Sequence, residues 1–154
     1  MEMVKAESTK VRMFRTNIAS DPRNIRLAEE FLEEINRTAQ FDEVEFHKLL
    51  VSVTEGVNNA IVHGNRSDPS QTVEVIIELS ARKIVAKVRD KGNGFEMGSV
   101  PNPIHDENIM KESGRGIFLM RVLADDVSGK HVRGGFELKL TFRRKLHPQK
   151  GPAS

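Results

Sequence analysis

The chain has 154 residues, about one ordinary domain, and carries 24 basic against 22 acidic side chains for a net charge of +2. The apolar set is 38%, and with the 11 glycines it reaches about 45%, the lower edge of the globular range, so wholesale disorder is excluded. Cysteine is absent and the aromatics, 5%, are all Phe, which removes disulfide scaffolds, thiolate zinc sites and cysteine nucleophiles and leaves little to stack on single-stranded nucleic acid.

Much of the basic excess sits at the end, in Arg143, Arg144, Lys145 and Lys150. The rest is close to neutral, so no basic stripe points to DNA, and the tail reads as solvated. No apolar run approaches about 18 residues, and the N-terminus has no apolar core of a signal peptide. The expectation is a cytoplasmic domain over 11–143, flanked by tails at 1–10 and 144–154, with no membrane or direct nucleic-acid contact.

Residues 11–18 are rich in strand formers. Asp21-Pro22 reads as an N-cap followed by Pro at the first helical position. Ile25, Ala28, Phe31, Leu32 and Ile35 then keep helical spacing to about Arg37. A second helix is expected from Phe41 or Asp42 to His63, with Gly64 as its left-handed stop. Asn65–Gln71 is a polar loop. Thr72–Leu79 and Lys83–Arg89 form a hairpin across Ser80–Arg82. A long polar stretch, Met97–Ser113, contains Pro101 and Pro103, a length that suits a functional loop. Gly114–Leu123 returns to helical spacing through Ile117, Met120 and Leu123. Val127–Val132 and Phe136–Phe142 close the chain as a hairpin. The order β, α, α, β, β, α, β, β predicts an α/β (α+β) two-layer sandwich, a mostly antiparallel, mixed sheet with helices on one face.

On the second helix, Phe46, Leu49, Leu50, Val53, Val57, Ala60 and Ile61 gather on one side. Ser52, Glu55, Asn59 and His63 form a separate polar stripe, with Val51 and Val62 beside Glu55. A carboxylate flanked by valines suggests a cleft wall or an interface as readily as a solvated face. Glu55 and Asn59, at i and i+4, can converge on one small volume. A carboxylate can take a proton, and an amide oxygen is a hard ligand suited to Mg²⁺. Asp90 ends a strand and opens Asp90-Lys91-Gly92-Asn93-Gly94-Phe95, whose glycines allow close backbone approach. A buried, ionised Asp offers only acceptors and so can select an exocyclic amine. Gly114-Arg115-Gly116 is placed to open a helix, where free amides attract phosphate.

Together, E-x-x-x-N on a helix, D-x-G-x-G-F after a hairpin and G-x-G at a helix start resemble the GHKL (Bergerat-fold) ATP-binding superfamily of gyrase, histidine kinases and MutL. The segment Glu55-Gly56-Val57-Asn58-Asn59-Ala60-Ile61-Val62-His63-Gly64, on so short a chain, is most similar to the bacterial anti-sigma-factor serine-protein kinases. The resemblance covers about residues 10–143. It implies an ATP- and Mg²⁺-dependent kinase that phosphorylates a STAS-type anti-anti-sigma protein and sequesters a sigma factor, and it suggests a homodimer. Glu55 would be the general base, Asn59 the Mg²⁺ ligand, Asp90 the partner of the adenine amine, and Gly92 and Gly94 the pocket floor. Met97–Ser113 would be the ATP lid, and Gly114, Arg115 and Gly116 would meet the phosphates. Some members carry an Arg where Glu112 stands here, and Lys111 or Arg115 would have to supply that charge. The different class of reading is a nucleotide-gated binding module with weak or no kinase activity. Walker A, H-R-D and D-F-G signatures are absent, which closes the P-loop and classical kinase routes.

Overall fold

The computed structural model describes residues 10–92 and 112–145, with the backbone alone at 112–114. The N-terminal tail, Gly94, Lys111, most of the expected lid and the last nine residues lie outside the described residues. Strand β1 (Arg12–Ala19) leads through a 3₁₀ turn (Pro22–Asn24) into α1 (Ile25–Ala39), and α2 (Glu43–Asn59) continues as a π-helical turn (Ala60–Gly64). Then come β2 (Thr72–Leu79), β3 (Lys83–Asp90), α3 (Glu112–Leu123), β4 (Asp126–Val132) and β5 (Gly135–Arg143). The five strands form one sheet in the order β1-β2-β3-β5-β4. All four pairings are antiparallel, so the described sheet is not mixed.

Local chemistry accounts for most boundaries. Asp21 caps the 3₁₀ turn by accepting from the Arg23 N–H at 2.9 Å, and the Arg23 side chain holds its carboxyl down to about 2. Pro22 thus starts a 3₁₀ turn rather than the α-helix itself, which begins at Ile25. Asp42 caps α2 through the N–H groups of Val44 (2.9 Å) and Glu45 (3.4 Å). The hairpin between β4 and β5 turns at Gly134, whose φ of 80° is a conformation that side chains resist.

The core lies between the helices and one face of the sheet. Ala28, Leu32 and Ile35 of α1 and Leu49, Val53 and Val57 of α2 meet alternate residues of β2, β3 and β5, among them Val75, Ile77, Ala86, Val88, Leu138 and Leu140. Ile117 and Met120 of α3 join them, as their spacing predicts. On the other face, directly opposed residues of adjacent strands alternate in charge. Arg89 pairs with Glu74 at 3.0 Å and with Glu137 at 2.7 Å, and Lys130 reaches Glu137 at 3.5 Å. This ladder fixes the strand whose last residue is Asp90.

The end of α2 departs from expectation. The Asn65 N–H bonds the Ala60 carbonyl at 2.8 Å, five residues back, so the last turn widens to a π turn. Gly64 is not left-handed; Arg66 (φ 53°) and Ser67 (φ 56°) are. Glycine is needed at 64 for space, because a methyl group there would overlap the Asp90 carboxyl.

The solvated-tail expectation fails at Arg144. Its guanidinium is bidentate to Glu45 (3.0 and 3.3 Å), donates to the Ser80 carbonyl at 2.9 Å and lies 5.5 Å from the Phe41 ring centroid. It thereby ties the end of β5 to the start of α2 and to the β2–β3 hairpin. Arg144→Ala is expected to lower the unfolding free energy by about 2 kcal/mol in urea titration, against less than about 0.5 for Arg143→Ala at the exposed neighbour.

Candidate functional site

A cavity of about 590 Å³ opens where the π turn crosses the end of β3, a size usual for a small-molecule site. Its walls include Asn59, His63, Gly64 and Asn65 from α2 and beyond, Val88 and Asp90 of β3 with Lys91 and Gly92 just after it, and Phe136 and Leu138 from β5. Three backbone segments converge on Asp90. A methyl group at Gly64 would overlap its carboxyl, one at Gly135 its carbonyl oxygen, and one at Gly92 the backbone of Gly64. The Asp90 side chain is buried, with Oδ1 accepting the Gly92 N–H at 2.7 Å. Burial pushes its pKa up from the ordinary carboxylate value, and the Gly92 hydrogen bond opposes this without cancelling it. A carboxylate kept in a cavity at such a cost suits a ligand that donates to it.

The polar stripe of α2 is not a solvated face. Asn59 is buried, as is Ser52, while Glu55 is half-buried and His63 exposed. Val51 and Val62 beside Glu55 are half-buried, and Val62 packs against the core. Gly116 of α3 lies against both site residues. A methyl group there would come within 3.0 Å of Glu55 Oε2 and 3.2 Å of Asn59 Nδ2. Asn59 Nδ2 has no hydrogen-bond partner among the described residues. The orphaned N–H group of a buried amide that faces a cavity fits a ligand that supplies an acceptor oxygen, and the amide oxygen beside it is of the hard type that a metal such as Mg²⁺ takes. Among the described residues no cluster of three or more His, Asp or Glu could hold a metal ion, so a cation here would rely on Asn59 and on oxygens of the bound ligand.

The expected residues therefore fall into two neighbouring groups, Glu55 with Asn59 and Gly116, and Asp90 with Gly92. Asn59 belongs to both, since it also lines the cavity; Glu55, one turn earlier, does not line it and is joined to the site through Asn59 and Gly116. The helix-start role expected of Gly114-Arg115-Gly116 needs correction. Helix α3 begins at Glu112, so the last two positions of the expected lid are helical and Gly114 and Arg115 lie within the first turn. The N–H of Gly116 falls past the four free amides of that turn. What Gly116 provides is room beside Glu55 and Asn59. Arg115 is exposed and does not line the cavity.

Two residues absent from the expected set shape the site. Gly64 reads in the sequence as a helix stop and as the end of the motif segment, with no role in the site. Asn65, in what reads as a polar loop, is buried and hydrogen-bonded on both sides of its amide: Oδ1 accepts the Lys91 N–H at 2.7 Å, and Nδ2 donates to Ser20 Oγ at 2.8 Å and the Thr72 carbonyl at 3.1 Å.

Comparison with known proteins decides the family, because residues 18–142 match the histidine kinase-like ATPase domain. The chain belongs to that family. It is 32% identical over 97 residues to the serine-protein kinase RsbW of Staphylococcus aureus strain JH9, with the same figures for strain Newman. The match takes in 58% of this chain and 60% of the relative, so the chain spans less than two thirds of that protein. A crystal structure of the RsbU and RsbW domains of a Mycobacterium tuberculosis protein superposes with a TM-score of 0.63 at 19% identity, covering 86% of this chain and 32% of that one. This second likeness establishes the fold, an α/β arrangement of five antiparallel strands and three helices. None of the described helices is long and apolar enough to cross a membrane.

As a member of this ATPase family, the chain keeps a carboxylate whose charged form is disfavoured by its burial. Asp90→Asn preserves an oxygen for the Gly92 N–H and removes the charge. It is expected to raise the melting temperature of the nucleotide-free protein measured at neutral pH, with the gain shrinking as pH falls through the raised Asp90 titration. An unchanged or lower melting temperature at neutral pH would show that the carboxylate is not strained by burial.

Proposed function

We propose that the protein is an ATP-dependent serine-protein kinase of the anti-sigma type, cytoplasmic and homodimeric, which phosphorylates a STAS-domain anti-anti-sigma protein and separately sequesters a sigma factor. The observation that carries the kinase part is the packing of Gly116 against both Glu55 and Asn59. It leaves a carboxylate beside a buried amide that lines the cavity holding Asp90 and whose Nδ2 has no partner among the described residues. A module that only binds nucleotide has no use for a carboxylate at that place.

In this reading Asp90 accepts the adenine amine, and the close approach of Gly64 and Gly92 shapes the pocket around the base. Asn59 holds Mg²⁺ through its amide oxygen, and the chemistry the ion supplies is neutralisation of charge on the phosphate oxygens. Gly94, Lys111, Gly114 and Arg115 are assigned to the nucleotide side of the site by family resemblance. Glu55 receives the proton as the serine oxygen of the protein substrate bonds to the γ-phosphorus. The bond from that phosphorus to the β–γ bridging oxygen breaks, and ADP leaves. The sigma factor and STAS-domain partners rest on the likeness to RsbW.

Glu112 favours the second reading, a nucleotide-gated binding module with little kinase activity, because an acidic residue at the head of α3 opposes the charge that phosphoryl transfer requires. Incubation with Mg-ATP and STAS-domain proteins separates the two. Phosphoserine on the STAS protein supports the kinase; ATP-dependent capture of a sigma factor without phosphoserine supports the module.

Two substitutions test the residue roles. Asp90→Asn, which places an NH₂ donor opposite the adenine amine, is expected to abolish ATP binding by calorimetry; an unchanged dissociation constant removes Asp90 from the base pocket. Glu55→Ala is expected to slow phosphoryl transfer on the order of 10²–10⁴-fold with ATP affinity unchanged. Loss of ATP binding would make Glu55 a structural or metal-shell group, and full activity would remove it from the chemistry.

A further inference from the structure

We infer that Asn65 is a positioning residue for the base pocket and that, through the 90–92 turn, it sets the preference for adenine over guanine; this rests on the nucleotide site proposed above. Asn65 is 6% exposed, and its amide is hydrogen-bonded through both atoms. Its Oδ1 takes the Lys91 N–H at 2.7 Å, while Nδ2 reaches Ser20 Oγ at 2.8 Å and the Thr72 carbonyl at 3.1 Å. One side chain therefore joins the end of β1, the start of β2 and the end of β3. Its own N–H closes the π turn on Ala60 at 2.8 Å. The two left-handed residues that follow, Arg66 and Ser67, are held in that conformation directly behind it.

The bond to Lys91 acts on Asp90. The peptide after Asp90 is fixed by Asn65, and the Asp90 carboxylate is fixed in turn by the Gly92 N–H at 2.7 Å. The carboxylate then has one place in the pocket, beneath the Gly64 backbone. Selection between purines depends on that place. A carboxylate attracts the 6-amino group of adenine and repels the 6-oxo group of guanine, and both effects fall steeply as the oxygen leaves the plane of the base. Without Asn65, the 90–92 turn loses its outer anchor. Contacts to the phosphates stay, and discrimination of the base goes. Asn65 acts through Asp90 and need not touch the nucleotide.

The test compares the parent with Asn65→Ala, Ser20→Ala and Asp90→Asn by calorimetry with Mg-ATP and Mg-GTP, together with melting temperatures. Asn65→Ala is expected to weaken ATP binding about tenfold or more while GTP binding changes far less, so that the ATP-to-GTP preference collapses. Ser20→Ala removes an acceptor of Nδ2 but leaves the bond to Lys91. It should lower the melting temperature and keep both dissociation constants within about twofold. If Asn65→Ala does not fold, Asn65→Ser carries the same expectation. A lower melting temperature for the Asn65 variant with unchanged affinity and unchanged ATP-to-GTP ratio would make Asn65 a structural tie and overturn the inference. A parent that binds both nucleotides equally would overturn it too. Equal ATP binding by the parent and Asp90→Asn would instead overturn the base-pocket assignment itself, whatever Asn65 does.

Discussion

The site depends on an exclusion of side chains around Asp90. Glycines at 64, 92 and 135 let three backbone segments close around Asp90: an added methyl group would overlap the Asp90 carboxyl at 64, the Asp90 carbonyl oxygen at 135 and the Gly64 backbone at 92. That contact fixes how far the end of α2 can descend onto the sheet. It fixes equally where β3 must stop, because the strand ends at the residue being enclosed. A larger side chain at 64 or 92 would push the π turn away from the end of β3 and open the pocket to water, and one at 135 would push β5 off the Asp90 backbone. The carboxylate would then lose the low-dielectric surroundings that strengthen a hydrogen bond to it.

From this contact the rest of the fold can be read as support. The charge ladder on the outer face, Glu74–Arg89–Glu137–Lys130, holds β3 in register immediately before Asp90. Asn65 ties the same strand end to β1 and β2. On the other side of the cavity, Gly116 lets α3 approach α2 at Glu55 and Asn59, and Gly56 lets α2 approach the sheet, where an added methyl would stand 3.0 Å from Leu138. Small residues thus occur where layers must come closest. The polar residues Asn59, Asn65 and Asp90 occur where those approaches leave buried but solvable hydrogen-bonding space. Such groups are costly in a core and are retained where a ligand or a neighbouring segment satisfies them.

Much of the architecture was legible in the sequence because it rests on periodicity. Ile25 to Ile35, Leu49 to Val57 and Ile117 to Met120 announced three amphipathic helices, and the alternating runs announced five strands. Periodicity says nothing of how a helix ends, so the π turn at Ala60–Gly64 was read as an α-turn with a glycine stop. Gly64 was seen as special, but its reason lies in Asp90, 26 positions away. Glu55, Asn59, Asp90 and Gly116 could be named from motif spacing, whereas burial of Asn59 and the steric role of Gly116 come from packing. Asn65 was hidden among Arg66, Ser67 and Asp68 because a polar residue before a turn looks the same whether it faces water or is hydrogen-bonded inside. Arg144 was hidden for a related reason. Its guanidinium is half-buried against Glu45 and Phe41, both distant in sequence.

The central claim is that one cavity joins a base-selecting end at Asp90 to a phosphate-transfer end at Asn59 and Glu55. Its most direct test is a residue-resolved amide spectrum recorded as a non-hydrolysable Mg-ATP analogue is added. The account predicts simultaneous shifts, at one dissociation constant, in Gly64, Asn65, Lys91 and Gly92 and in Gly56, Asn59 and Gly116, with the outer face of the sheet unmoved. Shifts confined to one of the two groups, or centred on the outer face around Glu74 and Lys130, would contradict it.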